Sequence, residues 1–217
     1  MFAFIPLSYY FRRCVIMEER KTMKKICTVV FAMFLLFVCN ASAIGLGGYL
    51  NGAYGSERFD ENDYNYTSLG GGLILDTAVE KDSLLNYRLE IGYDKKTFDG
   101  GGERDKYAMN NTFGFGILRN DLVRIWLGPE VGIYYCETAG GFNYFGGGIG
   151  PAIGTNVHLT DLISLSFSAD ALYQYNIGTE SNHDNNQWGE WKVRASVALL
   201  FKMGDRYSKK LSAHSGN

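Results

Sequence analysis

Eight stretches of alternating apolar and polar residues follow one another from Ile44 to Met203, and turn-rich segments separate them. A period of two puts successive side chains on opposite faces of a strand. Eight such strands in a row, with nothing of helical period between them, leave little choice but an antiparallel sheet. A sheet that long removes its unpaired edges only by closing on itself. The expected strands are residues 44–55, 67–80, 84–97, 107–119, 123–137, 143–159, 163–178 and 190–203. Tight turns are expected at 81–83, 120–122 and 160–162, and longer polar loops at 56–66, 98–106, around 139–141 and at 179–189. The fold class is therefore all-β, an eight-stranded antiparallel up-and-down barrel. An even strand count puts both termini at the end with the tight turns.

Composition agrees with this reading. Aromatic residues make up 15% of the chain, and there are 27 glycines but only 3 prolines. That mixture suits closely spaced strands and argues against a disordered chain. The formal charge of −2 hides an uneven distribution. Residues 1–43 hold six basic and two acidic residues, so residues 44–217 hold 15 basic and 21 acidic, a net of −6. An acidic body has no electrostatic footprint for nucleic acid.

The basic excess belongs to a leader. Met23-Lys24-Lys25, the apolar run 26–39 and Ala41-Ser42-Ala43 supply the charged, apolar and cleavage-site parts of a secretory signal over 23–43. The apolar run, at 14 residues, falls short of the roughly 20 that a spanning helix needs. Residues 1–22 read as an upstream extension ahead of the true initiator Met23, residues 44–204 as the barrel and 205–217 as a polar periplasmic tail. Cys14, Cys27 and Cys39 fall in the leader. Leu36-Phe37-Val38 before Cys39 does not suit a lipoprotein signal. Cys136 is left alone, so no intramolecular disulfide can form, and a small buried residue is expected there.

The two faces of each strand differ sharply. In the fifth strand Val123, Ile125, Leu127, Val131, Ile133 and Tyr135 share one face, and Arg124, Trp126, Gly128, Glu130, Gly132 and Tyr134 the other. A soluble ligand-binding barrel turns its apolar face inward and a membrane barrel turns it outward, and alternation alone does not separate the two. The aromatics do. Tyr54, Tyr93, Tyr135, Tyr173, Tyr175 and Trp191 lie on the apolar face near the loop ends, the pattern of an interfacial girdle. Lipid is then the first partner, and the barrel sits in a bacterial outer membrane with loops outside and both termini in the periplasm.

At residues 144–154, Tyr-Phe-Gly-Gly-Gly-Ile-Gly-Pro-Ala-Ile-Gly, running into Leu159-Thr160-Asp161-Leu162-Ile163-Ser164-Leu165, the chain resembles the small eight-stranded outer-membrane barrels, the group of the OmpA membrane domain, OmpX and OmpW. The resemblance implies a glycine-rich descending strand, a periplasmic turn and an ascending strand. It also implies an aromatic near the end of the last strand, a part open to Phe201. The tail is too short for a peptidoglycan-binding domain of the OmpA kind.

Centring the turns sets Asp76 opposite Arg88, Glu130 opposite Thr112, Trp126 opposite Gly116 as an aromatic over a glycine, and Asp170 opposite Ala152. The lumen is expected to hold Asp76, Arg88, Glu90, Arg124, Glu130, Asp170, Lys192 and Arg194, four acids and four bases. An eight-stranded barrel is only wide enough for side chains to fill, so a balanced set of charges reads as a plug. The alternative is a narrow porin-like channel for small or hydrophobic solutes, kept open by Gly146, Gly148, Gly150 and Ala152. No enzyme is expected, since none of His158, His183 and His214 is placed with a Ser and a carboxylate at the outer leaflet. No cofactor and no metal are expected. Glu57, Asp60, Glu61 and Asp63 lack the spacing of a Ca²⁺ loop, and His183-Asp184 reads as solvated loop. An extracellular or host ligand would be met by loops 56–66 and 179–189, and the barrel is expected to act as a monomer.

Overall fold

The computed structural model describes residues 44–59, 62–79, 84–138, 143–179 and 187–203. Their eight strands are β1 Ile44–Phe59, β2 Asn62–Asp76, β3 Leu85–Phe98, β4 Glu103–Arg119, β5 Val123–Thr138, β6 Tyr144–His158, β7 Ile163–Gly178 and β8 Gln187–Met203. Each pairs antiparallel with its sequence neighbour, and β8 returns to β1, closing the barrel. The signal over 23–43, the stretch 1–22, the tail 205–217 and the residues Asp60, Glu61, His183, Asp184 and His214 lie outside the described residues, as do the 81–83 turn and the 139–141 loop.

Strands of 14 to 17 residues rise about 3.3 Å per residue, so at a tilt near 45° they stand roughly 33–40 Å tall. That exceeds the roughly 30 Å of hydrocarbon in a bilayer. At the hairpin end the paired strands run farther than expected, which corrects the expected loops. Most of 56–66 is paired strand, with Ser56↔Asn65, Glu57↔Tyr64 and Arg58↔Asp63 in register. The 98–106 segment shrinks to a turn at 99–102, where Gly101 and Gly102 hold φ of +83° and +99°. Polar residues occupy both faces of these strand ends, so the period-two alternation of polarity disappears there.

At the other end, called here the terminal end, β2 stops at Asp76 rather than continuing to residue 80. A short 3-10 turn, Thr77–Val79, follows. The Thr77 hydroxyl accepts from the Tyr87 amide at 2.7 Å and donates to the Tyr87 carbonyl at 3.2 Å, which turns the chain inward. The connections 120–122 and 159–162 are as short as the 99–102 turn. Among the described connections, loop length does not separate the two ends.

Alternation decides what each face meets. Outward residues are largely exposed, Leu50 at 68% for instance, whereas inward Arg194 is at 2%. Pro129 and Pro151 face each other across β5 and β6. Proline has no N–H to give the next strand. Accordingly the β4–β5 ladder passes from Thr112↔Glu130 to Phe115↔Leu127, and the β6–β7 ladder from Ile149↔Tyr173 to Ala152↔Asp170.

Candidate functional site

The register sets Asp76 opposite Arg88, Thr112 opposite Glu130, Trp126 opposite Gly116 and Asp170 opposite Ala152, as the turns imply. Six of the eight lumen residues read from sequence come together in one layer around Arg194 of β8. Its Nε donates to Asp170 Oδ2 at 2.6 Å, Nη1 to Glu90 Oε2 at 2.7 Å and Nη2 to Glu130 Oε1 at 2.9 Å. One guanidinium thus binds carboxylates from β7, β3 and β5. Thr112 donates to the other oxygen of Glu130 at 3.0 Å. Arg88 extends the layer toward the terminal end, donating to Glu90 at 2.8 Å, to the Ser166 hydroxyl at 2.8 Å and to Asp76 at 3.4 Å. Arg124 is buried nearer the terminal end of β5. Lys192 is buried on β8, one pleat from Arg194 and one from Glu190.

A second charged layer fills the lumen at the hairpin end. Lys96 Nζ lies 2.8 Å from Glu57 Oε1 and 3.0 Å from Glu190 Oε1. Arg104 Nη1 meets Glu57 Oε2 at 2.6 Å. Tyr66 donates to Glu190, Tyr144 donates to Glu57 at 3.1 Å, and the Tyr134 hydroxyl lies 3.1 Å from Glu190 Oε2. The ammonium groups also sit over rings, Lys96 at 4.3 Å from the Tyr66 centroid and Lys106 at 3.6 Å from that of Tyr134. Sequence reasoning missed this layer. It placed Glu57 and Lys106 in loops, although each keeps the inward parity of its strand, and parity extended past the strand ends would have found them.

Apolar clusters bracket the two layers. Tyr134, Tyr144, Trp188, Ala108 and Cys136, with Phe59 against them, pack together toward the hairpin end. Tyr49, Ile74, Val79, Ala198 and Leu200 pack together toward the terminal end, with Val79 delivered by the 3-10 turn. Among the described residues seven acids and seven bases are fully buried, so the interior is balanced.

The lumen glycines do not leave free space. A Cβ on Gly146 would run into the Tyr134 ring, and one on Gly148 would meet Gln174 Cγ at 2.7 Å. Trp126 covers a glycine, but it is Gly154 of β6; beside Gly116 lie Arg119 and Arg124 instead. Rings of Tyr49 and Tyr66 likewise lie against Gly92 and Gly55. The glycines are what allows large rings to lie flat against the wall.

On the outside, Tyr93, Tyr107, Tyr135 and Phe145 form one register row across β3 to β6. Tyr135 and Phe145 are 4.8 Å apart, and Tyr54 meets Trp191 edge-on at 5.6 Å. Tyr173 pairs directly with Trp191. Tyr93 donates to Asp105 and Tyr175 to Gln187, both one step farther toward the hairpin tips. Tyr107 and Phe145, absent from the sequence reading, belong to the same band. Beyond it the outward positions become Lys95, Glu103, Asp105 and Glu137.

His158 is the last residue of β6, at the terminal end. It does meet a serine, with Nδ1 3.3 Å from Ser164 Oγ, but at the terminal end and fully enclosed. That hydroxyl lies 3.0 Å from the Val157 carbonyl, to which it donates.

No family model matches the chain, and no curated protein matches it. Solved structures do. The outer membrane protein OprG from Pseudomonas aeruginosa is 9% identical with a TM-score of 0.51, the match covering 76% of this chain and 97% of that one. Neisserial surface protein A is 16% identical with a TM-score of 0.42, covering 72% and 97%. The outer membrane protein AlkL, solved in lipid bilayers, is 11% identical with a TM-score of 0.48, covering 76% and 92%. Closed topology, outward apolar band and the OprG superposition agree: the chain has the fold of the small eight-stranded outer-membrane β-barrels.

Proposed function

We propose that the chain is exported by the signal over 23–43 and built into the bacterial outer membrane as a monomeric, non-enzymatic barrel with a sealed lumen. Its hairpin end faces the exterior, and its termini, with the tail 205–217, face the periplasm. Its role is structural and surface-interactive, a rigid stem that presents four hairpin tips. The observation carrying this reading is the Arg194 layer, in which one side chain joins three strands across the interior. Buried carboxylates without a cation would be strongly disfavoured in such a space, so the layer fixes both closure and register. The girdle and the polar collar beyond it support the outward direction of the hairpins, since aromatic bands mark the membrane–water boundary.

The test uses the protein refolded in detergent, run boiled and unboiled on gels and then recorded in planar bilayers. Heat-modifiable migration with no discrete current steps is expected. Glu130→Ala and Arg194→Ala should both raise conductance while keeping the folded band. Steps in the unmodified protein, or passage of an apolar dye, would replace the sealed stem with a channel.

A further inference from the structure

At the hairpin end the β1–β2 hairpin, the β3–β4 turn and the end of β5 enclose an open depression of about 720 Å³. Its wall carries Tyr64, Phe98, Asp63, Asp99 and Glu103, with Arg104 in the floor. We infer that this depression is a saccharide site, and that it selects sugars bearing a protonated amine. The inference rests on the reading of the hairpin end as the exterior face and adds a ligand class to it.

Three features carry it. The first is the mixture of rings and acceptors. Tyr64 is 49% exposed, and Phe98 lies alongside the same space. Aromatic surface beside carboxylates suits a ring that is apolar on its C–H faces and polar at its rim. The second is charge. Among the described residues Arg104 is the one cation of the lining, and its guanidinium is already committed to Glu57 at 2.6 Å and lies over the Phe98 ring at 4.3 Å. Asp63 lies 3.9 Å from Arg58 and Glu103 lies 2.6 Å from Lys95, so Asp99 carries the net negative charge of the described lining, which attracts an ammonium and repels sulfate or phosphate.

The third is a fixed frame with an unobstructed mouth. The Asp99 amide donates to the Asn65 carbonyl at 3.1 Å, tying the turn to the neighbouring hairpin. Gly101 donates to the Phe98 carbonyl at 2.9 Å, and Phe98 to that of Gly102 at 3.1 Å. Gly100, Gly101 and Gly102 present no side chain, and a Cβ built on any of them meets nothing within 4 Å. A pyranose can therefore approach the backbone closely. A preformed pocket also spares the ligand the cost of ordering a loop.

The experiment is binding of three trisaccharides to the refolded barrel in detergent: glucosamine oligomer, its N-acetylated form and a sulfated form. The expected order is amine, then acetylated, then sulfated, with at least about a tenfold span from first to last, equivalent to about 1.4 kcal/mol. Tyr64→Ala and Asp99→Asn should each weaken the amine form several-fold. Gly100→Trp, where the added ring has open space, should fill the pocket and abolish binding while the folded gel band persists. Equal or stronger binding of the sulfated form, or indifference to all three substitutions, would overturn the assignment. Labelling of a Gly100→Cys variant on intact cells is the separate readout for orientation. Binding in detergent without surface labelling keeps the pocket and removes the exterior reading. Labelling without binding does the reverse.

Discussion

The two charged layers of the lumen solve the same problem with different chemistry. Around Arg194 the cation is a planar fork, and its three nitrogens each meet a different carboxylate at 2.6 to 2.9 Å. Around Lys96 the cation is a point charge. Two carboxylates flank it, and phenol hydroxyls and ring faces supply the rest of its surroundings. A guanidinium is directional and rigid, while an ammonium is compact and indifferent to direction. The middle layer, the one around Arg194 with all its charged members buried, uses the directional group. The hairpin-end layer, one step below the collar, spreads its charge over tyrosines. The lesson is that the middle layer should be intolerant of substitution and the other layer graded in its response.

The sharpest way to break this contrast is Arg194→Ala. It leaves Glu130 and Asp170 without their cation, and a loss of about 3–5 kcal/mol is expected from breaking a buried ion cluster. Denaturant unfolding of the barrel in lipid vesicles measures it. Arg194→Lys should recover little, because one ammonium cannot reach three carboxylates from three strands; full recovery would show that charge alone matters. A smaller effect is expected from Lys96→Met, about 2–3 kcal/mol by the same assay. There Arg104 still pairs with Glu57, and Tyr66 and Tyr134 still face Glu190. If this variant matches Arg194→Ala, the tyrosines contribute nothing to the layer. The smallest effect belongs to Lys95→Ala. Its pair with Glu103 is as short, at 2.6 Å, but stands in water with both side chains about half exposed. Unfolding should not shift measurably, since such pairs are weak and screened.

The contrast also explains what could be read from the residues. Inside the lipid-height part of the barrel, period-two alternation separated the faces residue by residue, and the short turns set the pairs Asp76–Arg88 and Glu130–Thr112. Above that height the outward positions become Lys95, Glu103 and Asp105, polarity no longer alternates, and the strands carrying Glu57 and Lys106 looked like loop. Inside the lumen the opposite error arose. Ile74, Leu172 and Leu200 are apolar yet point inward. Ile74 and Leu200 pack in the apolar cluster at the terminal end and Leu172 lies opposite Lys192 between the layers, and no rule that equates inward with polar would find them. Likewise, register alone put Trp126 beside Gly116, but which neighbouring strand an indole leans toward depends on side-chain direction, which register does not contain.

The origin of the three carboxylates held by Arg194 has a consequence for assembly. Glu90, Glu130 and Asp170 belong to the third, fifth and seventh strands, and their shared cation arrives only with the eighth. A seven-stranded sheet curling up early would bring those negative groups together with Arg88 paired to Glu90 but to neither Glu130 nor Asp170. The last segment to be made is thus the one that neutralises the interior, and the ring closes comfortably only when the count of strands is complete.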